Sequence, residues 1–213
     1  MKITPRIRKI NRYYASRVYP DRAGFEILSW SSREAQIERF KILLELLKRH
    51  FAGGACPTLL DVGCGLAELA GYLEKAGFLV LYTGVDLTAE ILQEAQQRCP
   101  SLNLRQLNIF QDSCPFPEQS FDVVFASGIF NMELGNNEMF AVSGMLRLAA
   151  LARHLAVANF LHYRSLLQHS ICHYYNPDEL RLKLCEKSLP VIVHEQYLDN
   201  DFTLEFRRDR VRV

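Results

Sequence analysis

Two carboxylates bracket a glycine turn in this chain of 213 residues. Asp61 stands just before Gly63-Cys64-Gly65, and Asp86 ends the run Leu79–Val85, about 20 residues beyond the turn. The pair Leu59-Leu60 leads into the turn as a buried strand does. After it, Leu66, Leu69, Ala70, Leu73 and Ala76 recur at helical spacing. A strand, a glycine turn, a helix start and a second strand tipped by an acid hold a nucleoside at the carboxyl edge of a parallel sheet. The second acid can accept hydrogen bonds from both hydroxyls of one ribose. Glycine suits the turn because a ligand must lie close to bare backbone, and the N–H groups at the helix start are expected to face that ligand.

The charges around the turn narrow the choice of nucleoside. A dinucleotide turn, G-x-G-x-x-G, needs Gly or Ala at position 68, and this chain has Glu68. A carboxylate there suits the helix dipole but repels a pyrophosphate. Asp61 adds a second negative charge. The pair fits a ligand without phosphate and with positive charge, such as S-adenosylmethionine, which carries an ammonium and a sulfonium. An NAD-dependent oxidoreductase is therefore the disfavoured alternative. A mere connecting turn is opposed by the independent placement of Asp86.

The phrases D-V-G-C-G at 61–65, G-V-D at 84–86 and F-D-V-V-F-A-S-G at 121–128 resemble the class I S-adenosylmethionine-dependent methyltransferases, over roughly residues 55–160. Ala67 stands where that family often has a third glycine. The phrases W-S-S-R-E-A-Q-I-E-R-F at 30–40 and Y-L-D-N-D-F-T-L at 197–204 are similar to a group of small bacterial methyltransferases of unassigned substrate. The resemblance implies an α/β fold: a three-layer, doubly wound, seven-stranded sheet, mostly parallel with a C-terminal antiparallel hairpin. It implies an N-terminal extension or lid over 1–30 and a methyltransferase domain over 31–213. It also implies a cofactor site. Gly63, Cys64 and Gly65 would lie around the methionine part, and Asp61 would meet its ammonium. Asp86 would hold the ribose, with Leu87 against the adenine. Asn108 and Ile109 would read the adenine edge, and Ala126, Ser127 and Gly128 would face the methyl group.

Catalysis leaves a fainter trace. Methyl transfer from a sulfonium is an in-line displacement with an activated leaving group, so alignment in a dry site supplies much of the barrier reduction. A base is needed only where the acceptor must shed a proton. The segment S-G-I-F-N at 127–131 has neither the N/D-P-P-Y phrase of amino-group methylation nor the P-C nucleophile of cytosine methylation. A small-molecule acceptor is expected, and nucleic acid is not. Phe130, Asn131, His162, Tyr163, His173, Tyr174 and Tyr175 are candidates to line the acceptor pocket. Of these, His162, Tyr174 and Asn131 are the candidates for catalysis, and His162 follows the fifth strand.

Net charge is +1, so no global field points to nucleic acid or membrane. The ends are basic (Lys2, Arg6, Arg8, Lys9, Arg12, Arg17 and Arg22; Arg207, Arg208, Arg210 and Arg212), which reads as solvated ends. Six scattered cysteines form no C-x-x-C and no zinc spacing, so reduced thiols, no metal and a cytoplasmic location are expected. No apolar run reaches spanning length, and no membrane partner is expected. A protein that binds the cofactor without catalysis is the other alternative, because binding and transfer use the same residues.

The remaining elements follow from caps and periodicity. Ser31-Ser32 caps a helix to about His50, with Glu34 three residues after Ser31, and Gly53-Gly54 ends it. Thr88 caps a helix to about Cys99. Strands are expected over 102–109, 121–127, 155–161, 191–198 and 202–207, with helices over about 136–153 and 176–187.

Overall fold

The computed structural model describes residues 5–19, 22–51, 54–111 and 114–208; Lys2, Gly53, Arg210 and Arg212 lie outside the described residues. The chain divides into two compact units, residues 1–111 and 112–213. The first carries α1 (Pro5–Ala15), α2 (Gly24–Ile27), α3 (Arg33–His50), β1 (Thr58–Val62), α4 (Glu68–Lys75), β2 (Leu81–Asp86), α5 (Ala89–Arg98) and β3 (Asn103–Gln106). The second carries β4 (Phe121–Ser127), α6 (Asn137–Leu151), β5 (Ala152–Leu161), α7 (Pro177–Glu186), β6 (Ile192–His194) and β7 (Asp201–Arg207). The seven strands form one sheet in the order β3-β2-β1-β4-β5-β7-β6. β1 with β2, β2 with β3 and β4 with β5 pair parallel, while β7 pairs antiparallel with β5 and with β6. This is the expected α/β sheet, mostly parallel and closed by antiparallel C-terminal strands.

Several boundaries differ from expectation, each for a local reason. Ser32, not Ser31, caps α3, and its hydroxyl accepts the Ala35 N–H at 3.1 Å, so Glu34 falls one position short of a capping box. β3 is four residues long and ends before Asn108. β6 is only three residues long, so six residues separate it from β7 rather than the short Asp-Asn-Asp turn. α7 begins as its sequence predicts: Asn176 caps it through Asp178 and Glu179, with Pro177 in the first turn.

An aromatic column fixes the second unit. Phe130, just past β4, stacks on Phe160 of β5 with centroids 4.8 Å apart, and Phe160 stacks on Phe202 of β7 at 5.4 Å. Tyr175 meets Phe160 edge-on at 5.2 Å and donates its hydroxyl to the Phe130 carbonyl at 2.8 Å. All four side chains are buried, so the loop after β4 is anchored by core packing.

Ala67 occupies the left-handed region at φ +57°, the conformation for which a glycine would be chosen. The strain costs about 1–2 kcal/mol. Glycine there would lose about 0.5–1 kcal/mol to chain entropy and about 0.8 kcal/mol of methyl burial, since Ala67 is buried. The opposing effects nearly cancel. Ala67→Gly should therefore shift unfolding free energy by under about 1 kcal/mol, while Ala67→Val, β-branched and overpacked, should lose about 2–3 kcal/mol in denaturant melts.

Candidate active site

The first unit builds an acidic cradle from strand register. β1 and β2 pair Leu59 with Tyr82 and Asp61 with Gly84. Side chains alternate along a strand, so Tyr82, Gly84 and Asp86 share a face with Asp61. The Tyr82 hydroxyl reaches along that face and donates to Asp61 Oδ2 at 2.6 Å. Gly84 leaves the gap between the acids open, and the Cys64 thiol fills it; a Cβ on Gly84 would lie 2.8 Å from Cys64 Sγ. Burial, together with Asp61 and Asp86 nearby, pushes the Cys64 thiol up, so it stays a thiol and offers no nucleophile.

The glycine turn doubles back on the end of β2. The Gly63 and Cys64 N–H groups donate to the Val85 carbonyl at 2.8 and 3.0 Å. The Gly65 N–H donates to Asp86 Oδ2 at 3.1 Å, and the Thr88 N–H donates to Asp86 Oδ1 at 2.9 Å. The turn spends these three N–H groups internally, and Asp86 is the clasp. Gly65, at φ +54°, also lies against Leu28, whose Cδ2 would sit 2.7 Å from an added Cβ. Ile27, Leu66 and Ile91 form a buried cluster there, with Tyr14, Val18 and Leu28 packed on it. Glu68 opens α4 and accepts from Gln36 Nε2 at 2.9 Å. The Leu87 carbonyl accepts from Gln106 Nε2 at 3.0 Å. Asn108 Oδ1 accepts the Phe110 N–H at 3.0 Å, forming an Asx turn beside buried Ile109.

The acids are poised for a cation. Burial, opposed by the Tyr82 hydrogen bond and reinforced by Asp86, pushes the Asp61 carboxyl up to about 7. Asp86 is also raised by burial, against the backbone N–H groups that hold it. Among the described residues neither carboxylate has a cationic partner. Two unneutralised acids at a glycine turn fit the ammonium and ribose of S-adenosylmethionine and do not fit a pyrophosphate.

In the second unit, Ala126 and Ser127 end β4 and Gly128 follows at φ +81°. Ser127 Oγ is buried without a hydrogen-bond partner among the described residues. The three candidates for catalysis behave differently. His162 is buried, and Nδ1 accepts the Arg164 N–H at 3.1 Å, so Nε2 carries the proton and donates to Glu195 at 2.8 Å; both nitrogens are committed. The Tyr174 hydroxyl accepts the His169 N–H at 2.9 Å and braces a loop. Asn131 Oδ1 is buried with no partner among the described residues. The Asn131 carbonyl accepts the His173 N–H at 2.8 Å, and Met132 bridges Cys172, which ties the loop after β4 to residues 172–173. His173 Nδ1 lies 2.9 Å from Glu133 Oε2, while Nε2 makes no hydrogen bond and stands 3.6 Å from Glu138. Phe130 and Tyr175 belong to the aromatic column and the core. Sequence reading missed two partners, Tyr82 and Glu133. Tyr82 was findable by alternation from Asp86, whereas Glu133 meets His173 only through folding.

A family model described as a methyltransferase domain matches residues 59–150. This match and the fold likenesses below support a class I S-adenosylmethionine-dependent methyltransferase. S-adenosylmethionine is the cofactor of this family. The demethylmenaquinone methyltransferase of Tropheryma whipplei (strain Twist) is 28% identical over 149 residues, which cover 65% of this chain and 61% of that protein. The match thus spans about three-fifths of that relative's length. The fold is similar to magnesium protoporphyrin IX methyltransferase (ChlM) from Synechocystis PCC 6803, solved with S-adenosylmethionine: TM-score 0.65 and 16% identity, over 98% of this chain and 100% of that one. It is also similar to a TehB-like methyltransferase from Corynebacterium glutamicum: TM-score 0.55 and 17% identity, over 81% of this chain and 88% of that one. At such identities these two likenesses are of fold.

The raised Asp61 carboxyl yields a pH prediction. Its folded value lies above the ordinary 3.8, so its contribution to the ligand-free fold is complete below about pH 4 and is lost as pH rises through 7. The loss amounts to roughly 4 kcal/mol at three pH units. Asp61→Asn should therefore raise the thermal midpoint of the ligand-free protein at pH 8, with the gain shrinking toward pH 4 in a calorimetric pH series.

Proposed function

We propose that this protein moves the methyl group of S-adenosylmethionine to a nucleophilic atom of a small-molecule acceptor. The observation that carries the reading is the pair Asp61 and Asp86 on one sheet face beside the glycine turn, with Asp61 pushed up to about 7 by burial and by Asp86. Asp61 would hold the ammonium and Asp86 the ribose. Leu87 and Asn108-Ile109 would frame the adenine, with Ala126, Ser127 and Gly128 facing the methyl. When bound, the cofactor supplies an electrophilic methyl on a sulfonium. Residues 1–30 are read as a lid, supported by Leu28 seated on Gly65.

A small acceptor is supported by the names of relatives that act on demethylmenaquinone and on magnesium protoporphyrin. It is supported also by the absence of the amino-methylation and cytosine-methylation phrases after β4. Where the acceptor must lose a proton, His173 suits the task better than His162. Glu133 orients its ring through Nδ1, and Nε2 carries no hydrogen bond. With an acceptor in hand, His173→Gln should lower kcat by about 10²–10⁴-fold with KM little changed in steady-state kinetics.

Calorimetric titration tests the reading. S-adenosylmethionine and S-adenosylhomocysteine should bind and NADH should not. Asp86→Ala should lose about 1.5–3 kcal/mol, the worth of hydrogen bonds to a charged group. Because a bound cation needs Asp61 ionised, wild-type affinity should fall about tenfold per unit below pH 7, and Asp61→Asn should bind weakly with no such slope. Tighter binding of NADH, or an Asp86→Ala variant that binds like wild type, defeats the assignment. Binding without turnover across an acceptor screen would favour a non-catalytic sensor.

A further inference from the structure

The loop after β5 inverts the usual use of side chains. Leu166 and Leu167 are 98% and 80% exposed, and Tyr163 and Ile171 are also exposed. Adjacent leucines this open at a loop tip form an apolar prominence, which marks a contact surface when other groups hold it in place. They are held in place. The Ser165 hydroxyl donates to the Leu167 carbonyl and Gln168 Nε2 donates to the Tyr163 carbonyl, both at 2.8 Å. The His169 N–H donates to the Tyr174 hydroxyl at 2.9 Å, and the Ser165 and Cys172 N–H groups close turns on His162 and His169. Ser165 and Gln168 are spent on the loop's own backbone, and the leucines stand at its surface.

Charge selects the occupant. No Asp or Glu occurs from His162 to Pro177, while Arg164 points outward beside the Tyr163 ring, 5.5 Å from its centroid. The nearest acid, Glu195, approaches Arg164 only at 3.8 Å, with the guanidinium mostly exposed. An apolar pocket on another protein would need only the leucines. An aromatic ring and a cation set behind an apolar tip, with no carboxylate in the segment, match the layering of a bilayer surface: phosphate, interface, then acyl chain.

We propose that the loop Tyr163–Ile171 seats this protein peripherally on bilayers containing anionic lipid, with Leu166 and Leu167 entering the acyl boundary and Arg164 meeting lipid phosphate. Such contact is distinct from spanning: among the described residues no helix is long and apolar enough to cross a membrane. Two leucines and one cation make a weak, reversible anchor. The inference is independent of methyl transfer.

Co-sedimentation with vesicles tests it. The full chain should pellet with phosphatidylcholine–phosphatidylglycerol vesicles, several-fold less with phosphatidylcholine alone, and less at high salt. The double substitution L166S/L167S should lower the bound fraction at least fivefold, with thermal unfolding and S-adenosylmethionine binding unchanged. Trp30 is the sole tryptophan, so Leu166→Trp adds one reporter, whose emission should shift to the blue on anionic vesicles while wild-type emission does not. A wild-type chain that stays in the supernatant with both vesicles overturns the proposal. So does a double variant that pellets like wild type, or a Leu166→Trp emission that vesicles leave unmoved. Apolar association with another protein in place of vesicles overturns it as well.

Discussion

Asp61 is a buried acid with no cationic partner among the described residues, and much of the first unit can be read as the means of keeping it so. Desolvation alone would drive such a group to protonate. The Tyr82 hydroxyl opposes that with one short donor, while Asp86, on the same face, aggravates it. Gly84 and Cys64 then fill the gap between the two acids with a small neutral thiol where a larger or charged group would relieve the tension. The arrangement stores unfavourable electrostatics in the ligand-free protein. A cation bound there is attracted by charge the fold has already desolvated, so part of the usual penalty of forming a buried pair is met before binding.

The logic of this cradle was legible in sequence because it is local. Strand, glycine turn, helix and second acid lie within residues 59–86, and parallel pairing makes their juxtaposition nearly automatic. The direction of the strands was legible for the same reason: apolar runs separated by helical periods read as parallel, and Asp199-Asn200-Asp201 before the strand over 202–207 read as the turn of a closing hairpin, whereas the seat of β7 between β5 and β6 had no local signal. What could not be read were commitments made by folding. The N–H groups of Gly63, Cys64 and Gly65 are spent on Val85 and Asp86, partners that the composition of the turn does not name. His162 looked like a base, but its nitrogens are occupied by the Arg164 N–H two residues on and by Glu195, which only folding brings to it from 33 residues away. Asn108 looked like a strand tip and is an Asx turn, since β3 stops early in a stretch of exposed polar residues.

The second unit solves a different problem. Phe130, Phe160 and Phe202 stack in a column across β4's outgoing loop, β5 and β7. A loop that leaves a parallel strand is ordinarily the mobile part of such a fold. Here a buried aromatic at its third residue, and the Tyr175 hydroxyl on its carbonyl, give it the rigidity of core. Asn131 and Glu133 are thereby carried on a fixed rail, and the backbone contacts to residues 172–173 bring His173 to that rail rather than leave it on an open loop. Position is what a group-transfer site most needs from its scaffold when the leaving group is already activated.

The same economy explains why the exposed leucines stand out. Elsewhere in the second unit exposed apolar side chains such as Met139, Leu182 and Ile192 stand singly, and the strands β5 and β7 turn theirs inward. A loop of nine residues that draws Ser165, Gln168 and the Tyr174 hydroxyl onto its own backbone has satisfied the carbonyls of Tyr163 and Leu167 and the N–H of His169 without water. For those groups it lowers the penalty that would otherwise attend moving this backbone out of bulk solvent. An apolar tip with unsatisfied carbonyls beneath it could touch a nonpolar phase only at the expense of those groups. One whose carbonyls at 163 and 167 already accept hydrogen bonds carries its leucines without that burden, and the bracing and the exposure are therefore one feature rather than two.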